Sequence, residues 1–327
     1  MNKISFYLTL ISLFVSISAC NYDRVEGKCT KDKSDYNYIL PPYSYGLPSI
    51  NPNNANELLF LRAGKGKTSI CVFNLQSREL NIVSSPNTSF DSRDLAWGND
   101  NWIYFTAKDL QIWKIKSNGD SLTQVTSRNG NFYPRVNTLK RKMMCESVCF
   151  GCYEPDPIRS GKVDLRSILI FDEKSNLLDS ILCTTCTRGF TWQNAENIAY
   201  FGHLDAKNPI GTVVVLNPDT KEVIRLSTYN YDGNTETGMC WIDSNTLFYS
   251  IESGLFKIDI ANKKTTQLRI TCNKEKYWYP SYSPALDRLV VVRQKQISKR
   301  KDVIELEFKI CFMDTEGKEL ETIDIPE

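Results

Sequence analysis

One rhythm recurs six times along the chain: an aromatic or branched apolar residue, a polar or proline turn, then a β-rich apolar run. The six instances are Ile50-Asn51-Pro52 before Leu58–Leu61, Trp97-Gly98-Asn99 before Ile103–Phe105, and Val136-Asn137-Thr138 before Met143–Cys149. Trp192-Gln193-Asn194 before Ile198–Phe201, Trp241-Ile242-Asp243 before Leu247–Tyr249, and Tyr282-Ser283-Pro284 before Leu289–Val292 complete the set. Their leading residues fall 39 to 56 positions apart. Each unit continues with a third apolar run (Ile70–Leu75, Gln111–Ile115, Ser167–Phe171, Thr212–Leu216, Leu255–Ile260, Phe308–Met313). A turn rich in Asn, Asp or Gly follows, as in Ser117–Asp120 and Asp314–Gly317, and a fourth run closes the unit.

No 3.6-residue amphipathic pattern competes with this repeat. Four short strands per unit and six units predict an all-β fold, a six-bladed β-propeller of four-stranded antiparallel blades. Radial closure also spares so many strands a long exposed edge. Tyr36–Leu40 is a further strand candidate that could close the ring. Two segments depart from the period. Tyr153–Val163 is predicted to project from blade three as a loop, and Lys295–Lys301 to form a basic hairpin tip in blade six.

The N-terminus follows a different pattern. Lys3 precedes an apolar run from Ile4 to Ile17, too short to span a hydrocarbon core of ~30 Å comfortably but suited to a signal peptide. Ile17-Ser18-Ala19-Cys20 resembles the bacterial lipobox, with Cys20 as the lipidated residue. Residues 1–19 are then a lipoprotein signal peptide, 20–35 a polar tether and 36–327 the propeller. The expected address is the bacterial cell envelope, reached through an N-terminal lipid anchor in the membrane. Asn21 in place of Asp after the cysteine favours the outer membrane over the inner, facing either the periplasm or the surface.

Several motifs resemble TolB-type propeller repeats. They are Ala96-Trp97-Gly98-Asn99-Asp100, Tyr279-Pro280-Ser281-Tyr282-Ser283-Pro284 and the strand Ser121–Thr126. The family pattern is Pro-x-Trp-Ser-Pro-Asp-Gly, two apolar strands and a Leu-Thr strand. The resemblance runs from about Tyr36 to the C-terminus and implies the propeller fold. No unit here carries the full Ser-Pro-Asp-Gly, and blade three has Val136 where others have tryptophan. The chain has no room for the separate N-terminal domain of TolB itself. Propellers host binding proteins and enzymes alike, so the resemblance implies little about activity.

Charge and chemistry narrow the function by exclusion. With 40 Lys+Arg against 38 Asp+Glu, the net charge of +2 supplies no field for nucleic acid. The single histidine, His203, excludes His-rich metal sites, and no nucleophile elbow, P-loop or dinucleotide fingerprint occurs, so neither a catalytic set nor a cofactor is expected. The loops joining one blade's last strand to the next blade's first are aromatic. They offer a candidate ligand face of Tyr133, Arg135, Arg188 and Tyr231, with Tyr277-Trp278-Tyr279 as an exposed platform. Cys149, Cys152, Cys183 and Cys186 have the spacing of a tetrahedral metal site, but a secreted chain favours disulfides, and no metal is expected. The function expected is a non-catalytic envelope lipoprotein that binds a protein or peptide partner. The alternatives are a carbohydrate-binding protein presenting its aromatics to a glycan, or a propeller enzyme working through paired carboxylates.

Overall fold

The computed structural model describes residues 22–23, 37–83, 90–155, 162–182, 191–192, 197–205, 208–227, 238–251, 254–270, 275–300 and 303–326. Six antiparallel sheets follow one another along the chain, each built from four consecutive strands. Blade one is Tyr43–Asn51, Asn54–Gly64, Lys67–Asn74 and Leu80–Val83. Blade two is Phe90–Trp97, Trp102–Ala107, Ile112–Lys116 and Thr123–Gln124, and blade three is Gly130–Asn137, Lys142–Pro155, Lys162–Asp172 and Leu177–Leu182. Blade four is Thr191–Trp192, Ile198–Asp205, Asn208–Leu216 and Val223–Ser227, and blade five is Gly238–Trp241, Thr246–Ile251, Gly254–Asp259 and Lys264–Ile270. Blade six is Glu275–Ser283, Arg288–Arg300, Val303–Met313 and Glu319–Ile323. The first strand of each blade contacts the first strand of the next, and blade six returns to blade one. The chain is an all-β six-bladed propeller with its first strands around the axis.

Side-chain alternation explains the ring. In blade one, Leu59, Leu61, Ile70 and Val72 pack on Leu95, Trp97, Ile103 and Phe105 of blade two. The residues between them, Leu58, Phe60, Cys71 and Phe73, pack on Val290, Val292, Ile310 and Phe312 of blade six. Successive side chains of a strand point to opposite faces, and here each face meets a different neighbour. That is why the second strands read as unbroken apolar runs rather than as alternating ones. The same pairing joins blades two and three, three and four, four and five, and five and six.

The ends of the chain meet on blade six. Its C-terminal strand pairs with Ile310–Met313. Farther along the same edge, Asn37–Ile39 runs parallel to Val303–Glu305, so Tyr36–Leu40 does contribute a strand, beside the blade's own fourth strand and not in place of it. Tyr22–Asp23 lies parallel to Thr265–Thr266 on the outer edge of blade five. Arg62 donates to the Pro326 carbonyl at 3.2 Å and Arg78 to that of Asp324 at 2.6 Å, tying the C-terminus back to blade one. The turns at Gly119 (φ 92°) and Gly317 (φ 80°) take the left-handed conformation that glycine adopts without strain.

The segment after Tyr153 differs from its sequence reading. Tyr153, Glu154 and Pro155 stay in the ladder opposite Asp164, Val163 and Lys162. The ends of the insertion are therefore strand, not loop, because they keep satisfying each other's backbone groups, and residues 156–161 lie outside the described residues.

Phe256 of blade five is fully buried and stacks on Tyr249 with ring centroids 5.0 Å apart. Phe256→Ala is expected to lower unfolding stability by about 3–5 kcal/mol, the usual cost of emptying such a site, as read from urea denaturation.

Candidate functional site

The geometry of the axis begins with proline. Pro48, Pro134 and Pro280 sit in the first strands of blades one, three and six and have no N–H to offer the neighbouring strand. The ladder breaks at each: pairing skips from Gly46 to Ser49, from Phe132 to Arg135, and from Trp278 to Ser281. The residue before each proline turns left-handed, Leu47 at φ 53°, Tyr133 at φ 58° and Tyr279 at φ 54°. Bulky side chains rarely adopt this conformation, and each such residue costs on the order of 1–2 kcal/mol that the surrounding packing must offset. In register, Asp94 of blade two and Gly238 of blade five stand where Leu47, Tyr133 and Tyr279 stand in the others, and Leu95 and Met239 take the place of the prolines. A Cβ on Gly238 would meet Pro280 Cδ at 2.5 Å and Tyr279 Cα at 2.7 Å. Glycine is thus required there by the close approach of the blade-six bulge.

These bulges line a central cavity of about 630 Å³ to which the first strands of all six blades contribute. Its wall carries Asp94, Tyr133, Arg135, Trp192 and Tyr279, and its rim carries Pro52, Leu139, Pro284 and Ala285. Asp94 is 1% exposed and accepts the Tyr133 backbone N–H at 3.2 Å. Arg135 Nη1 lies 3.8 Å from the Asp94 carboxylate and donates to the Pro134 carbonyl at 2.8 Å. Burial pushes the Arg135 pKa down while Asp94 pushes it back up. Blades two and three are thereby tied across the axis by a charge-assisted contact, in a setting where removing either partner is costly.

Of the candidate ligand-face residues, Tyr133, Arg135 and Tyr279 converge on this cavity. Arg188 and Tyr231 lie outside the described residues. Tyr277-Trp278-Tyr279 does not form one exposed platform. Tyr277 is 2% exposed and packs among residues of blades five and six. Its hydroxyl accepts from the Arg269 guanidinium and donates to Glu319 at 3.4 Å, and burial pushes its pKa up. Trp278 packs against the core shared by blades one and six and donates to Gln294 at 3.1 Å. The physical reason is the bulge. Burial along Glu275–Ser283 falls on every third residue, Tyr277, Pro280 and Ser283, so adjacent aromatics are sent to separate places.

Among the described residues, the rim of the cavity is built at turns from first to second strand, where Pro52, Thr138, Leu139, Pro284 and Ala285 sit. Several of the loops that enter each blade (84–89, 183–190, 228–237 and 271–274) lie outside the described residues. Asp94 and Leu139 are not among the residues the sequence singled out. Asp94 had a signal: it is the one charged residue among the described residues at a repeat position that Leu47, Tyr133, Gly238 and Tyr279 hold in other blades.

The cysteines divide into two kinds. Cys149 is disulfide-bonded. The Cys152 side chain, Cys183 and Cys186 lie outside the described residues, as does Cys20. Cys71, Cys145, Cys240 and Cys311 are free and buried. Burial pushes the thiols of Cys71 and Cys311 up to about 11 and raises those of Cys145 and Cys240 as well. Among the described residues, no group of His, Cys, Asp and Glu is arranged to hold a metal ion. His203 pairs with Gly211 in the ladder of blade four.

Two measurements check this geometry. Gly238→Ala is expected to destabilise the fold by about 1–3 kcal/mol through overpacking against the blade-six bulge, seen as a lower urea midpoint. Iodoacetamide at pH 8 should leave Cys71, Cys145, Cys240 and Cys311 unmodified in the native chain and label all four after unfolding without reductant. Cys149 should be labelled only after reduction; peptide mass mapping distinguishes these outcomes.

No family model matches the chain, and no curated protein matches it either. Among solved structures it resembles a chain of the crystal structure of a nidogen/laminin complex. The two share 12% identity with a TM-score of 0.53, over 86% of this chain and 93% of that one. At that identity the likeness is one of fold, the six-bladed propeller.

Proposed function

We propose that this chain is a non-catalytic, lipid-anchored protein of the bacterial cell envelope whose propeller binds a protein or peptide partner at the mouth of its central cavity. The observation that carries this reading is the chemistry of the mouth. Leu139 stands 73% exposed at the rim, next to a cavity whose rim also carries Pro52, Pro284 and Ala285. An exposed leucine over an apolar-rimmed hollow is the geometry of a binding hot spot, where a partner's side chain enters and water leaves. The volume suits a few side chains or a short extended peptide.

Two further features support the non-catalytic part. Asp94 is the one carboxylate among the described residues lining the cavity, and Arg135 and the Tyr133 N–H already engage it. Glycoside hydrolysis needs a second carboxyl facing it. The likeness to a chain of a nidogen/laminin complex favours binding through a propeller. Anchorage through Cys20, with an outer-membrane lean, rests on the apolar run Ile4–Ile17 and on Ile17-Ser18-Ala19-Cys20.

The test is crosslinking of the tagged, intact protein in its native envelope, followed by purification. Leu139→Glu is expected to cut recovery of the partner about ten-fold or more, as loss of a hot-spot residue does. Leu177→Glu, on the outer strand of blade three, should leave recovery unchanged. A partner recovered equally with Leu139→Glu, or no partner across several crosslinkers, overturns the reading.

A further inference from the structure

The two described pieces of chain before the propeller both lie on its outer edge, at neighbouring blades. Tyr22–Asp23 runs along the fourth strand of blade five, and Asn37–Ile39 along the third strand of blade six. Tyr22, two residues after Cys20 in the sequence, is seated on that edge, so a lipid on Cys20 would be tethered through the rim of blade five.

The adjoining rim of blade six has the chemistry of a lipid-facing surface. Tyr38, Ile39 and Leu40 are all exposed on the added strand. The hairpin it pairs with carries Ile297, which has no opposite residue because the register skips from Gln296 to Ser298. Ile297 is therefore pushed outward, 52% exposed, between the exposed Lys295 and Lys299. Arg300 and Lys301 follow in sequence. Apolar and tyrosine side chains beside lysines match the boundary between acyl chains and anionic headgroups. Exposed apolar residues occur elsewhere, such as Leu177 on blade three, but among the described residues no N-terminal strand adds to that rim.

We infer that the rim of blades five and six, through Tyr38, Ile39, Leu40 and Ile297, docks on an anionic phospholipid surface and holds the propeller edge-on to the membrane. This rests on the lipid-anchor reading for how the rim reaches the bilayer, and adds a second, non-covalent contact to it.

The test uses the intact protein on phosphatidylglycerol/phosphatidylethanolamine vesicles, with a photoreactive benzoylphenylalanine in place of Ile39, Ile297 or Leu177. The three sites are matched in exposure, at 54%, 52% and 56%. Lipid adducts are expected from positions 39 and 297 and none from 177. Lys295→Glu combined with Lys299→Glu should reduce the adduct at 297 and leave the melting temperature unchanged. Absence of adducts at 39 and 297, equal adducts at all three positions, or an adduct at 297 indifferent to the charge reversal overturns the inference. The mass of the mature N-terminal peptide reports acylation of Cys20 separately. An unmodified Cys20 removes the anchor reading, while the adduct pattern still decides whether the rim docks.

Discussion

No blade of this propeller can bury its own side chains. A four-stranded sheet has two faces, and here both are apolar: Leu59 and Leu61 leave blade one toward blade two, while Leu58 and Phe60 leave it toward blade six. Each blade therefore needs both neighbours, and the last needs the first. The hydrophobic effect acts on the ring as a unit, so the fold is complete only when blade six meets blade one. This explains why the two ends of the chain converge there. The C-terminal strand finishes blade six, Asn37–Ile39 lies beside it on the same edge, and Arg62 and Arg78 of blade one grip the last carbonyls. These contacts hold the seam of the ring, where no covalent connection runs from one blade to the next.

The same demand for close packing shapes the axis. Six first strands converging on one line crowd each other, and the prolines at 48, 134 and 280 interrupt their ladders where they come closest. The left-handed residues before them are strained, and the strain is tolerated because neighbours fill the space around each bulge. Gly238 gives way to Pro280 and Tyr279. The result is a cavity whose walls are backbone bulges and a few fixed side chains. Asp94, which stands in blade two where Tyr133 stands in blade three, serves the same geometry by another route. Its carboxylate accepts the Tyr133 N–H beside the broken ladder and attracts Arg135.

Repeat period and strand count were legible because they depend on composition over tens of residues. The predicted third runs Gln111–Ile115, Ser167–Phe171 and Thr212–Leu216 fall on the third strands Ile112–Lys116, Lys162–Asp172 and Asn208–Leu216. The site was legible only in part. Tyr133 and Arg135 reach the cavity, whereas Tyr277 is buried, because a reading at period two puts Tyr277 and Tyr279 on one face and a proline bulge rotates them apart. That rotation depends on how the ladder re-enters after Pro280, which is set by blade five through Gly238. A contact between residues some forty positions apart in sequence cannot be seen in a local pattern. Leu139 was missed for the opposite reason: a lone leucine in a turn carries no periodic signal, and only the ring brings it over the cavity mouth.

The proposed anchoring and binding surfaces occupy separate parts of this architecture, and their separation has a physical cause. The strand edges lie on the outer rim, where fourth strands leave backbone groups unpaired, so chain segments outside the ring add there by hydrogen bonding. At the axis the inner edges of the first strands face one another, and the side chains and bulges that line the cavity leave a ligand there to be held by side chains and shape. An edge-on propeller, as the rim of blades five and six implies, keeps the cavity mouth perpendicular to the bilayer normal. A partner can then approach along the membrane plane without displacing the anchor, and a change at the mouth need not alter retention. A face-on arrangement would press either the mouth or the opposite loops against lipid. The rim is also where the basic tip of blade six and the N-terminal strand come together. The geometry that closes the ring thus sets where the proposed membrane-facing rim lies.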